Sequence, residues 1–113
     1  MTHTVVAATL AILVSGFLIV PSFAEDPIAM SIVIKDHKFD PEELKVPAGK
    51  VIELTVDNQD ATPEEFESAT LKVEKVIAGS SKGKVRFGPL TPDTYLFVGE
   101  FNQATARGAV TAE

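Results

Sequence analysis

At 113 residues and a net charge of −6, the chain has room for one hydrophobic core and presents an acidic surface. That balance excludes nucleic acid as the expected ligand, because its binders carry basic patches, and it favours metal cations or a basic partner. The absence of Cys excludes a disulfide, a thiolate metal ligand and a thiol nucleophile, so stability must come from the core alone.

The chain opens with an apolar run from Val5 to Val20 followed by Pro21-Ser22-Phe23-Ala24, which places small residues at both positions that signal peptidase inspects. A cleaved signal peptide over residues 1–24 is expected, leaving a domain of residues 25–113 that begins at Glu25 and holds every charged residue. The amino-terminal stretch has no Lys or Arg, which keeps a retained membrane anchor as the alternative. Against the anchor, the run is shorter than the ~20 residues of a spanning helix and stops at a proline. The expected location is periplasmic or secreted.

Beyond residue 25, period-2 alternation recurs between turn signals. Met30, Ile32 and Ile34 share one face of a first strand, and Leu44 to Val46 forms a short second one that Pro47-Ala48-Gly49 closes. Ile52, Leu54 and Val56 then point inward, with Glu53, Thr55 and Asp57 outward. Ala69, Leu71, Val73 and Ile77 share one parity, and Val85 and Phe87 another. Thr94 to Phe101 is apolar on both sides except at Glu100, and Gly108 to Thr111 closes the series. About seven short strands with no long helical pattern predict an all-β Greek-key sandwich or barrel. Asp40-Pro41-Glu42-Glu43 and Thr62-Pro63-Glu64-Glu65 each carry a capping residue, a proline and a glutamate at helix-start spacing, which predicts two one-turn helices with Glu43 and Glu65 as capping partners.

Phe39-x-Pro41-x-x-Leu44-x-Val46-Pro47-Ala48-Gly49, followed by Leu54-x-Val56-x-Asn58-x-Asp60, resembles the first half of a cupredoxin. Gly88-Pro89-Leu90-x-Pro92-x-Thr94-Tyr95-x-Phe97 resembles the strand that leads to the copper loop, and Gly108-x-Val110 resembles the closing strand. The stretch from Asn58 to Ser68 and Gly99-Glu100-Phe101 are most similar to the EfeO-type cupredoxin-like domains associated with bacterial iron and copper uptake. The resemblance implies a cupredoxin-like Greek-key β-sandwich, a metal ion (iron or copper) as ligand, and a metal permease or other periplasmic or membrane partner.

A blue-copper centre uses two imidazoles, one thiolate and usually a weak axial thioether. Matching the closing loop to the family puts Gly99 at the cysteine, Asn102 at the second histidine and Ala106 near the methionine, while Ala69 lies near a histidine of the uptake-associated relatives. No type I copper centre and no electron-carrier role are expected. His37, in the polar run Lys35-Asp36-His37-Lys38, reads as a solvated turn histidine, and Met30 has the parity of core filler. Glu67 shares the parity of Ala69 and Leu71, and Glu100 is the sole charge of an apolar strand; with Glu64 they form the candidate metal site, oxygen-rich and suited to a hard cation such as ferric iron, manganese or calcium. The plainer reading leaves Glu67 and Glu100 in solvent or paired with Lys72 or Arg107.

Three function classes follow. One is an accessory protein of metal uptake that binds or hands on metal without redox chemistry of its own. Another is a metal-free interaction module on the same scaffold. An enzyme is not expected, since no Ser/His/Asp or Cys/His set, metal-water triad or phosphate-binding glycine loop is present, and no small-molecule substrate is evident.

Overall fold

The computed structural model describes residues 26–113, so the expected signal peptide and its cleavage point lie outside the described residues. No helix among the described residues is long and apolar enough to cross a membrane. The alternating segments form nine strands: β1 Ile28–Lys35, β2 Lys38–Asp40, β3 Glu43–Val46, β4 Ile52–Asn58, β5 Glu64–Ser68, β6 Val73–Ile77, β7 Ser81–Phe87, β8 Asp93–Gly99 and β9 Arg107–Ala112. They build two sheets in the orders β2-β1-β4-β7 and β3-β9-β8-β5-β6. Most pairings are antiparallel, but β1 runs parallel to β4 and β3 parallel to β9, so the chain crosses between sheets rather than meandering within one.

The core lies between the sheets, because the inward faces of the strands are mainly apolar. Ile32, Ile34, Ile52, Leu54 and Val56 come from one sheet and Phe66, Phe97 and Val110 from the other, and all are essentially inaccessible to water. Each such side chain contributes about 1.5–3 kcal/mol on burial. Phe97 is the centre of an aromatic cluster, with ring centroids 4.9 Å from both Phe39 and Phe66.

Two strands exceed the seven expected. β2 arises because Asp36 and His37, at φ 53° and 57°, make a tight two-residue turn that folds Lys38–Asp40 back onto β1. β5 arises where a one-turn helix was expected. Neither Pro-Glu-Glu segment is helical: Glu43 opens β3 and pairs with Ala109, and Glu64 and Glu65 open β5 and pair with Ile77 and Val76. A capping box is worth about 1 kcal/mol, less than the ladder hydrogen bonds and the burial of Phe66 that an extended β5 secures. The run from Ala69 is also not one strand, since residues 69–72 form a turn before β6 and Ala69 is exposed. The strand expected from Thr94 to Phe101 stops at Gly99, and Glu100 begins a one-turn 3₁₀ helix, Glu100–Asn102.

Candidate functional site

Alternation along β5 turns Glu64, Phe66 and Ser68 inward and Glu65 and Glu67 outward. The inward acid of this strand is therefore Glu64, which is 2% exposed, and not Glu67. The sequence parity misassigned Glu67 because it was counted from Ala69 and Leu71, across the turn that breaks the strand.

Facing Glu64 is the connection from β8 to β9. Gly99 N–H donates to the Ala106 carbonyl at 2.9 Å, and Ala106 N–H donates to the Asn102 carbonyl at 2.8 Å, so the loop folds into a compact cap. The cap brings Gly99, Asn102 and Ala106 together, the three positions matched above to cupredoxin ligands, and the Glu64 carboxylate fills the space among them. Its Oε2 accepts from Asn102 Nδ2 at 2.6 Å, and its Oε1 accepts from the backbone N–H of Phe101 at 2.8 Å and of Glu65 at 3.0 Å. A β-carbon on Gly99 would stand 2.7 Å from the Glu64 carboxyl carbon and 2.7 Å from Ala106 Cβ. Glycine is thus required here by the carboxylate and by Ala106 together. Ala69, exposed on the outer turn, takes no part in this cluster.

These residues do not fit a type I copper centre. The chain offers no thiolate, and the donors in the pocket are a carboxylate and a carboxamide already bonded to each other. Acceptor-only carboxylate oxygens are matched by three N–H donors, so a metal would have to displace a satisfied network rather than enter a prepared vacancy. Sequence reasoning gave Glu64 only a supporting place in an acidic trio. The signal that could have marked it is Pro63-Glu64 followed by the inward parity of Phe66 and Ser68.

The other two acids of that trio meet on the outer surface. Glu67 is half-buried, Glu100 is exposed at the start of the 3₁₀ turn, and both line one shallow groove. Hydrogen bonding with the Glu100 carboxyl, desolvation and the charges of Glu100, Glu74 and Glu65 push the Glu67 carboxyl up to about 7. Glu65 is also raised, chiefly by desolvation and by its hydrogen bond with Glu74. Glu67 stands directly opposite Glu74 across the β5–β6 ladder. The structure brings Glu67 and Glu100 together and separates them from Glu64, whose side chain lies on the other face of β5. Among the ion pairs of the described residues, neither Glu67 nor Glu100 pairs with Lys72 or Arg107. No group of three or more His, Cys, Asp or Glu side chains among the described residues is disposed to hold a metal ion. His37 sits in the β1–β2 turn with Nδ1 3.5 Å from Asp60 Oδ2, and Met30 packs partly buried against the core.

A family model described as a cupredoxin-like domain matches residues 6–112 of the chain. The uncharacterized protein RP394 of Rickettsia prowazekii (strain Madrid E) is 40% identical over 83 residues, which cover 74% of this chain and 66% of that protein. The chain thus spans just under two thirds of that relative's length. Among solved structures, auracyanin A, a "blue" copper protein of Chloroflexus aurantiacus, superposes with a TM-score of 0.64 at 18% identity, covering 78% of this chain and all of that one. The metal binding domain of the Streptococcus pneumoniae D39 Cu(I) exporting P-type ATPase CopA gives a TM-score of 0.64 at 16% identity over 75% of this chain and 84% of that one. At such identities the likeness is one of fold.

Proposed function

The chain belongs to the cupredoxin-like domain family, and from that premise we propose that it is a metal-free interaction module on a cupredoxin scaffold, exported from the cytoplasm and without enzymatic activity. The observation that carries this reading is the Glu64 carboxylate, buried among Gly99, Asn102 and Ala106 and bonded to Asn102 at 2.6 Å. An internal hydrogen-bond clasp stands where the resemblance puts the metal, so the clasp ties β5 to the β8–β9 loop. The scaffold keeps its shape without a cofactor, and its outer surfaces are left to do the work.

The test is a melting and calorimetric titration with Cu(I) and Cu(II). A ligand held by the native state alone adds about 2.7 kcal/mol at a hundredfold excess over Kd. We expect no copper-dependent rise in melting temperature. A stoichiometric copper isotherm with a rise that disappears in Glu64→Gln would contradict the reading.

A second reading is favoured by one observation, the meeting of Glu67 and Glu100 on one groove of the outer face. Together with the EfeO-type likeness of Asn58 to Ser68 and of Gly99-Glu100-Phe101, it supports an accessory protein of iron or copper uptake that passes a hard cation to a permease partner. A cation there would offset the repulsion of the two carboxylates. Manganese or calcium should then raise the melting temperature in the wild type and not in the Glu67→Gln, Glu100→Gln double variant; melts indifferent to either cation would remove this reading.

A further inference from the structure

β8 is the central strand of the five-stranded sheet, yet its Leu96 is 67% exposed. A large apolar side chain in the middle of a sheet, with its backbone fully paired to β9, is not an edge left to fray. Beside it on the outer face stands Val98, and Ala109, opposite Leu96 on β9, is too small to cover either. The neighbouring strand β5 pairs with β8 only at Phe66 and Glu67. Beyond that point β5 turns away, with the Ser68 hydroxyl donating to the Leu96 carbonyl at 2.7 Å. Two shallow grooves of about 220 and about 210 Å³ open here and share Glu67, Ser68 and Ala69. The second is walled by Leu96 and Val98 and rimmed by Glu100.

We propose that this outer face, where Leu96 and Val98 meet the carboxylates of Glu67, Glu74 and Glu100, docks a basic polypeptide segment in which cationic and apolar side chains alternate. The inference rests on the interaction-module reading above and names its surface and partner. Charge complementarity selects the occupant. Like charges crowd the β5–β6 side, Glu67 facing Glu74 across the ladder and Glu100 from the 3₁₀ turn, and the resulting repulsion is relieved by ammonium or guanidinium groups. The nearby cations are few. Lys72 borders the first groove, and Arg107, opposite Val98, donates from Nε to the Gln103 carbonyl at 2.6 Å. An acidic surface disfavours an anionic membrane or nucleic acid, and a net charge of −6 disfavours a second copy of the chain. A segment of alternating character matches the two kinds of wall, its apolar side chains on Leu96 and Val98 and its cations on the glutamates.

The test uses the isotope-labelled full chain and three synthetic peptides of equal length, alternating Lys/Val, Lys/Ser and Glu/Val, with binding read by fluorescence anisotropy and amide shift changes at low salt. The Lys/Val peptide should bind at least about tenfold more tightly than the others, with shifts centred on Glu67, Leu96, Val98 and Glu100. Its affinity should fall about tenfold in Leu96→Ser and again in Glu67→Gln, Glu100→Gln, and it should weaken with salt. Equal binding of Lys/Ser would reduce the effect to bulk charge attraction and overturn the proposal. So would shifts on the other sheet, unchanged affinity in the variants, or self-association through this face in sedimentation. These failures leave the Glu64 clasp and the module reading standing, whereas stoichiometric copper uptake at Glu64 would remove the module reading whatever the peptides do.

Discussion

A carboxylate withdrawn from water is costly unless donors replace the solvent, and Glu64 has three of them in Asn102, Phe101 and Glu65. Glu64→Ala should destabilise the fold by about 3 kcal/mol, since it leaves the Asn102 amide and the Phe101 N–H without their acceptor. Gly99→Ala should cost about 1–3 kcal/mol, because the added methyl meets the Glu64 carboxyl and Ala106. The two changes share a contact, so chemical denaturation of the double variant should show a loss smaller than the sum by at least about 1 kcal/mol. Strict additivity would mean that the carboxylate does not occupy the space Gly99 leaves open.

At the level of elements, acids act in opposite senses in two places. Asp60 closes the β1–β2 turn, its Oδ1 accepting from Asp36 N–H at 2.8 Å and its Oδ2 from His37 N–H at 3.0 Å. The His37 N–H is the largest influence holding the Asp60 carboxyl below its ordinary value, against an opposing push from burial. A depressed folded-state value gives stability that is present above the ordinary aspartate range and lost as pH falls through the lowered one. Glu67 is the reverse: its value rises from 4.5 to about 7, so its contribution is full below 4.5 and is lost as pH rises through about 7. Stability of the wild type should therefore decline between pH 4.5 and 7 and also at strongly acid pH. Glu67→Gln should flatten the first slope and Asp60→Ala the second, the latter with a loss of about 1–2 kcal/mol at neutral pH. Melts across pH that show the same slopes in the variants as in the wild type would contradict both assignments. The strands that bear these acids were legible to different degrees. β4 read cleanly from alternation because one face is packed on the core, whereas β7 read only over its last residues, since Ser81 and Gly83 on its inward face carry no apolar signal. β5 did not, because Thr62-Pro63-Glu64-Glu65 carries a strong local helix-start pattern, and only pairing with β6 and β8 overrides it.

For the molecule as a whole, the sandwich was legible because alternating faces and Gly/Pro turns recur through the domain, and the cupredoxin likeness lay in the order of those turns. The site was less legible, since it forms between residues far apart in sequence, with Glu64 at one strand start and Asn102 in a distant loop. The cupredoxin resemblance matched Gly99, Asn102 and Ala106 to one ligand loop, and the structure brings them together, but it gave no sign of the carboxylate that meets them. The same arrangement separates the two surfaces of β5: the inner face carries Glu64, and the outer face carries Glu65 and Glu67. The most direct measurement is a Cu(II) titration followed by NMR at the Asn102 side-chain amide, which sits on Glu64 Oε2. A closed clasp leaves that resonance sharp and unshifted through one equivalent of copper. Paramagnetic loss of the Asn102 and Phe101 signals at one equivalent, with the rest of the spectrum intact, would show that the pocket opens to metal and would contradict a metal-free scaffold.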